Sequence, residues 1–156
     1  MLIYKDDVKA LTFDLFGTLL DLGGSLVPFI GCFLKDKGSA IDADAFWAQW
    51  RLRQRVEQYQ DNIMELGHSG YQEVARRAFV YVLELNGVQA SANEVRDFMD
   101  CWQQLKPFPE VGGALNRLKE GYKLVALSNG EPEFLAHLAQ NQIQWDFDEI
   151  ISVAEI

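Results

Sequence analysis

Ala10-Leu-Thr-Phe-Asp-Leu-Phe-Gly-Thr-Leu19 is the stretch on which the fold turns. A short apolar, β-prone run ends in Asp14 and Phe16-Gly17-Thr18 turns the chain at once, so the stretch reads as a buried strand with a carboxylate at its C-terminal end. The pattern recurs at Tyr122-Lys-Leu-Val-Ala-Leu127, which runs into Ser128-Asn129-Gly130 and then Glu131-Pro132, a suitable first helical turn. Phe134, Leu135 and Leu138 stand at helical spacing between Glu133 and Gln140, and Asp148-Glu-Ile-Ile-Ser-Val153 is a third, weaker strand. Strand, helix and strand in so short a span make a βαβ unit, which predicts a parallel sheet.

Between the first two strands the texture is helical. Asp42 is placed to cap a helix through Phe46, Trp47 and Trp50 and past Tyr59; Ser69-x-x-Gln72 and Ser91-x-x-Glu94 are capping-box patterns that open two more. Val74, Ala78, Tyr81, Val82 and Leu85, then Val95, Phe98, Met99 and Trp102, form apolar stripes, and their aromatic members read as core packing. Lys106-Pro-Phe-Pro109 breaks the last helix, and an amphipathic helix from Glu110 to Glu120 leads into the second strand. The expected fold class is therefore α/β, with a long helical insertion just after the first strand.

At 156 residues the chain has the size of one domain, and 49% hydrophobic with 24% charged residues is a globular composition. Fourteen Lys and Arg against 23 Asp and Glu give a net charge of −9, which argues against a nucleic acid or an anionic membrane as partner. No apolar run approaches the ~18 residues that cross a bilayer, and the first residues lack a basic segment followed by an apolar one, so the expected location is cytoplasmic. Cys32 and Cys101 have no CxxC or His-rich neighbour and read as core-facing thiols. His68 and His137 read as surface residues rather than bases.

Open parallel sheets bind ligands at the C-terminal ends of their strands. Asp14 lies at one such end, with Gly17 permitting a tight turn and Thr18 offering a hydroxyl; Ser128 and Asn129 lie at the end of the second strand. Together they supply a carboxylate nucleophile or metal ligand beside several hydrogen-bonding groups. Each group alone has an ordinary reading as turn chemistry, but joint placement on two strand ends favours function.

The same residues carry a resemblance. Phe13-Asp-Leu-Phe-Gly-Thr-Leu19 resembles the first motif of the haloacid dehalogenase superfamily and Leu127-Ser-Asn-Gly130 its second. Leu105-Lys-Pro-Phe-Pro-Glu-Val111 and Phe147-Asp-Glu-Ile-Ile-Ser-Val153 resemble the segment returning from the cap and the third strand of the type II 2-haloacid dehalogenase branch. The resemblance implies a partial Rossmann-like core over residues 1–20 and 108–156 and a helical cap domain over residues 21–107. Phosphatases of the superfamily carry a second Asp two residues after the nucleophile; Phe16 stands there, and a phenyl ring cannot shuttle a proton. That substitution points to the dehalogenase branch, with Phe where Tyr is common.

By that resemblance Asp14 displaces halide from C2 of a short 2-haloalkanoate, and water hydrolyses the resulting aspartyl ester. Thr18, Ser128 and Asn129 are expected to hold the carboxylates of enzyme and substrate, and Phe16, Trp50 and Gly130 to line the substrate. Trp50-Arg51 resembles the cap segment that presents an arginine to the halogen or substrate, with Arg53 as the alternative register. The partner implied is a small anion, and no cofactor or metal is called for. Mg²⁺ enters only under the alternative reading as a phosphatase; a further alternative is an inactive binding or assembly module. The superfamily's third motif, a Lys, and its polar fourth motif would follow the third strand; no Lys follows Lys123, so the chain reads as truncated before them. In that family's sheet the first strand lies between the second and the fourth, which predicts an uncovered edge on Ala10 to Asp14 and a homo-oligomer, a dimer or larger, that covers it.

Overall fold

A computed structural model describes residues 7–64, 67 and 69–155, which form two units: residues 7–22 with 105–155, and residues 23–104. The first unit holds strands β1 (Ala10–Phe13), β2 (Leu20–Asp21), β3 (Lys106–Pro107), β4 (Lys123–Ser128) and β5 (Glu149–Ser152). β1, β4 and β5 form a parallel sheet in the order β1-β4-β5, with Phe13 opposite Ala126 and Ser128 opposite Ser152. β2 and β3 make a small antiparallel ladder.

β4 owes its central place to alternation. Leu124, Ala126 and Ser128 are buried, while Lys123, Val125 and Leu127 are exposed or half-buried. The helix at Val111–Leu118 buries Val111 and Leu115, and the one at Pro132–His137 buries Phe134 and Leu135, opening with Pro132 in its first turn as the sequence suggests. The latter continues as a π-helical turn, Leu138–Ile143, and ends at Gln144 in the left-handed region (φ 56).

β1 departs from its expected character, because none of its four residues is buried. It bonds to β4 alone among the described residues, so one edge and much of its side-chain surface lack cover. An apolar run specifies strand propensity; burial needs neighbours on both sides.

In the second unit, with elements numbered in chain order, α1 is Leu22–Asp36, α2 Ala43–Ile63, α3 Tyr71–Leu85 and α4 Ala92–Met99, followed by a 3₁₀ turn over Asp100–Gln104; the two helices of the first unit are then α5 and α6. Phe79 stacks on Phe98 at 4.3 Å between centroids and touches Trp50 at 4.9 Å, while Phe33 meets both Phe79 and Phe98 edge-on. This aromatic cluster is the core of the unit: Phe98 and Trp102 join it as their stripe predicts, whereas Tyr81 and Leu85, expected in the core, are exposed on α3.

Asp42 caps α2 by accepting from the Ala45 N–H at 3.0 Å, and the Ser91–Glu94 capping box forms in full. The Ser69-x-x-Gln72 pattern is offset from its helix: α3 begins after Gly70, which takes the N-cap position with a φ of 89 that makes the entry turn. Cys32 is exposed, contrary to expectation, whereas Cys101 is buried. On α1 it stands two residues, or ~200° of rotation, past the buried Ile30, which carries it off the Leu26–Ile30–Leu34 stripe. His137 is half-buried at the end of α6, with its Nδ1 3.2 Å from Asn141 Nδ2; His68 lies outside the described residues. Among the described residues no helix is long and apolar enough to cross a membrane.

Candidate active site

Asp14 follows β1 directly, and Ser128 ends β4. Parallel pairing of the two strands brings residues 114 apart in sequence together: Ser128 Oγ donates to Asp14 Oδ1 at 2.8 Å. The chain then turns back through Gly17, whose φ of 88 suits a residue without a Cβ, and the N–H groups of Leu19 and Leu20 both donate to the Leu15 carbonyl. The turn returns Thr18 so that its Oγ1 donates to Asp14 Oδ2 at 3.2 Å. Each carboxylate oxygen thus accepts one hydroxyl, the carboxylate stays exposed, and among the described residues Asp14 makes no ion pair. Such a group is oriented, negatively charged and accessible, as a nucleophile must be. Asn129 follows Ser128 on the loop and is half-buried.

Phe16 and Gly130, the expected substrate-lining residues beside Asp14, are both buried in the loops' packing. The Phe16 ring stacks on Phe134 at 5.7 Å, and a Cβ at position 130 would lie 3.0 Å from Phe16 Cε2 and 2.7 Å from Leu135 Cδ2. The tight turn folds the phenyl ring beneath the Ser128-Asn129-Gly130 loop, so both residues shape the site from below. Sequence reasoning missed Ser152. It ends β5 opposite Ser128, is buried, and donates from Oγ to the Gly130 carbonyl at 2.6 Å, which fixes the loop behind Ser128. Its signal was a lone hydroxyl at the end of an apolar strand, in register with another.

The remaining expected residues belong to the second unit. Trp50 does not offer a surface to substrate: it is fully buried, its indole N–H donates to the Ala75 carbonyl at 2.8 Å, and its ring packs on Phe79 and Trp102. One position on, helical rotation turns Arg51 out of that core. Arg51 is half-buried, donates from Nη1 to Gln54 Oε1 at 2.6 Å and lies 5.5 Å from the Trp47 ring. Gln54 is itself buried, and its Nε2 has no hydrogen-bond partner among the described residues. Arg53 is committed elsewhere, pairing through Nε and Nη2 with Glu57 and covering the Tyr81 ring at 3.9 Å. Of the two candidate arginines, Arg51 alone makes no ion pair among the described residues.

Among the described residues no group of three or more His, Cys, Asp or Glu could hold a metal ion. A cavity of about 1000 Å³, lined by Lys119, Lys123, Trp145 and Asp148 among others, lies at the N-terminal end of β4, away from Asp14.

A family model described as haloacid dehalogenase-like hydrolase matches residues 8–156. The chain belongs to that family. This haloacid dehalogenase-like chain is 29% identical over 153 residues to haloacetate dehalogenase H-2 of Moraxella sp. (strain B), covering 94% of this chain and 63% of that protein. With the (S)-2-haloacid dehalogenase of Pseudomonas sp. (strain YL) it shares 29% identity over 150 residues, 95% of this chain and 62% of the relative. The chain therefore spans rather more than three fifths of the length of these two relatives. The L-2-haloacid dehalogenase of Xanthobacter autotrophicus superposes with a TM-score of 0.82 at 27% identity, over 95% of this chain and 58% of that one. The α/β fold with a parallel sheet is thus the fold of that family.

Proposed function

We propose that the protein hydrolyses the carbon–halogen bond of a short 2-haloalkanoic acid, with Asp14 as the nucleophile. The observation that carries this reading is the Asp14 carboxylate held at both oxygens by Ser128 and Thr18, two residues before a buried phenyl ring where a proton donor would serve a phosphatase. A carboxylate oxygen of Asp14 bonds to C2 as the carbon–halogen bond breaks, and halide leaves with the bonding electron pair. Halide needs no proton to depart, so Phe16 is no handicap. Water then adds to the ester carbonyl carbon of Asp14; cleavage of the acyl–oxygen bond releases the 2-hydroxy acid, regenerates the carboxylate and liberates one proton. The Ser128 and Thr18 hydroxyls stabilise the carboxylate before and after, and Asn129 is the group next to hand for the substrate carboxylate. Residues 21–107 are read as the cap domain, Arg51 as its cation for the halogen or the substrate carboxylate, and the enzyme as cytoplasmic and acting without a cofactor.

Halide release from chloroacetate and 2-chloropropionate, measured beside p-nitrophenyl phosphate with Mg²⁺, tests the reading. Turnover of the haloacids alone is the expected result; turnover of the phosphate ester alone overturns it. Asp14→Asn is expected to lower halide release by about a thousandfold or more without a change in thermal unfolding. Single turnover in heavy-oxygen water should place the label in Asp14 itself, which a direct attack of water on C2 does not do.

A further inference from the structure

Gln54 is a polar side chain in an apolar place. It is fully buried on α2, one turn beyond the buried Trp50, where an amide destabilises the fold unless each of its groups finds a partner. Only half of this one does. Oε1 accepts from Arg51 Nη1 at 2.6 Å, whereas Nε2 is buried and has no hydrogen-bond partner among the described residues. A guanidinium only donates, so the amide must turn its oxygen to Arg51 and leave its NH2 group as the unmatched end. The bond to Arg51 is what the buried glutamine contributes.

Neighbouring arginines show the ordinary arrangement. Arg76 donates to Glu73 at 2.7 and 2.6 Å across the same three-residue spacing, and Arg53 donates from Nε to Glu57 at 2.8 Å. Each of those carboxylates orients its guanidinium and also offsets its charge. The Gln54 amide orients without offsetting. The other group beside Arg51, the Trp47 ring at 5.5 Å, is uncharged as well. Arg51 is therefore held at two contacts, half-buried, with its charge uncompensated by any ion pair among the described residues.

We propose that Gln54 is a positioning residue, which fixes the orientation of the Arg51 guanidinium while leaving its charge whole for a small anion, a halide or a carboxylate. The proposal deepens, and rests on, the reading of Arg51 as the cation that meets the halogen or the substrate carboxylate. Some stability of the fold is given up for this arrangement, because an apolar side chain of similar length would fill the same place without an unmatched donor. A glutamate at position 54 would form the ordinary ion pair and withdraw the charge from a ligand.

Two variants separate orientation from charge. Gln54→Met keeps the length of the side chain and removes the acceptor; Gln54→Glu keeps the acceptor and adds a negative charge. Iodide is the first probe, because it quenches an indole on contact and Trp47 lies beside Arg51. The Trp47 share of the quenching is obtained at constant ionic strength by comparing each form with its Trp47→Phe counterpart. That share is expected to fall by about threefold or more in Gln54→Glu and to change by less than about twofold in Gln54→Met, where the charge survives. Halide release from chloroacetate should lose about tenfold or more in kcat/KM in both variants, mainly through kcat in Gln54→Met and through KM as well in Gln54→Glu. Gln54→Met should melt at or above the temperature of the wild type. Melting of Gln54→Met about 5 °C or more below the wild type would assign the amide to the fold instead. Wild-type iodide quenching in Gln54→Glu, or wild-type kcat/KM in either variant, would equally overturn the proposal. Absence of halide release from the wild type would remove the proposed activity, and the iodide and melting results then decide the role of Gln54 by themselves.

Discussion

Gly130 stands two residues after the hydroxyl that holds Asp14 and packs against the ring of Phe16, where no room is left for a methyl group. A Cβ there would approach Leu135 Cδ2 to 2.7 Å and Phe16 Cζ to 3.1 Å, and the Phe16 ring is already pinned by Phe134. Gly130→Ala is therefore expected to cost about 1–3 kcal/mol by overpacking, measured by denaturant unfolding, and to displace the Ser128 hydroxyl with the loop. Retention of full stability would mean that Phe16 and Leu135 move aside freely. The two thiols provide a second check on side-chain placement. Burial pushes the Cys101 thiol up to about 12, while Cys32 is exposed on α1. A thiol reagent at pH 8 should modify Cys32 alone in the native protein and both cysteines only after unfolding.

Helix α4 shows how a short motif becomes a pH-dependent contact. Ser91 N–H and Oγ both donate to Glu94 Oε2, at 2.8 and 2.9 Å, and Lys37 Nζ donates to Oε1 at 2.5 Å. The Lys37 bond first, and the Ser91 bonds after it, hold the Glu94 carboxyl down at about 2 against an ordinary 4.5. Because the folded value lies below the unfolded one, this contribution to stability is complete above pH 4.5 and is lost as pH falls through about 2. The difference in melting temperature between the wild type and Glu94→Gln should accordingly be constant above pH 5 and shrink through that window. The Glu94 side chain is solvent-exposed, so the difference is small and should diminish further in high salt. Ser69-x-x-Gln72 carries the same motif in another setting: Gly70, not Ser69, takes the N-cap position of α3, and the backbone enters the helix there by a positive φ. A capping pattern is legible in sequence, but the dihedral that selects among competing entries is not.

Across the molecule, the strands of one sheet should differ in protection. β4 is paired on both sides and alternately buried, whereas β1 is paired with β4 alone among the described residues and has no buried residue. Amide exchange is expected to be at least about tenfold slower along β4 than along β1. Slow exchange throughout Ala10–Phe13 would mean instead that a second chain covers the sheet edge.

Much of this was legible in the sequence because it is local. The β4–α6–β5 unit follows from periodicity and from Pro132 at a helix start, and Asp14, Thr18, Ser128 and Asn129 are recognisable as groups at or just beyond the ends of apolar runs that read as strands. What tertiary structure alone decided is which neighbours cover each of these groups. The Asp14–Ser128 hydrogen bond depends on the β1–β4 register, and Ser152 matters only because its strand ends beside theirs. Trp50 and Arg51 are adjacent in sequence, yet ~100° of helical rotation sends one into an aromatic core and the other to Gln54. Residue type and spacing fix what an element is; burial is set by the surfaces packed against it, which lie far away along the chain.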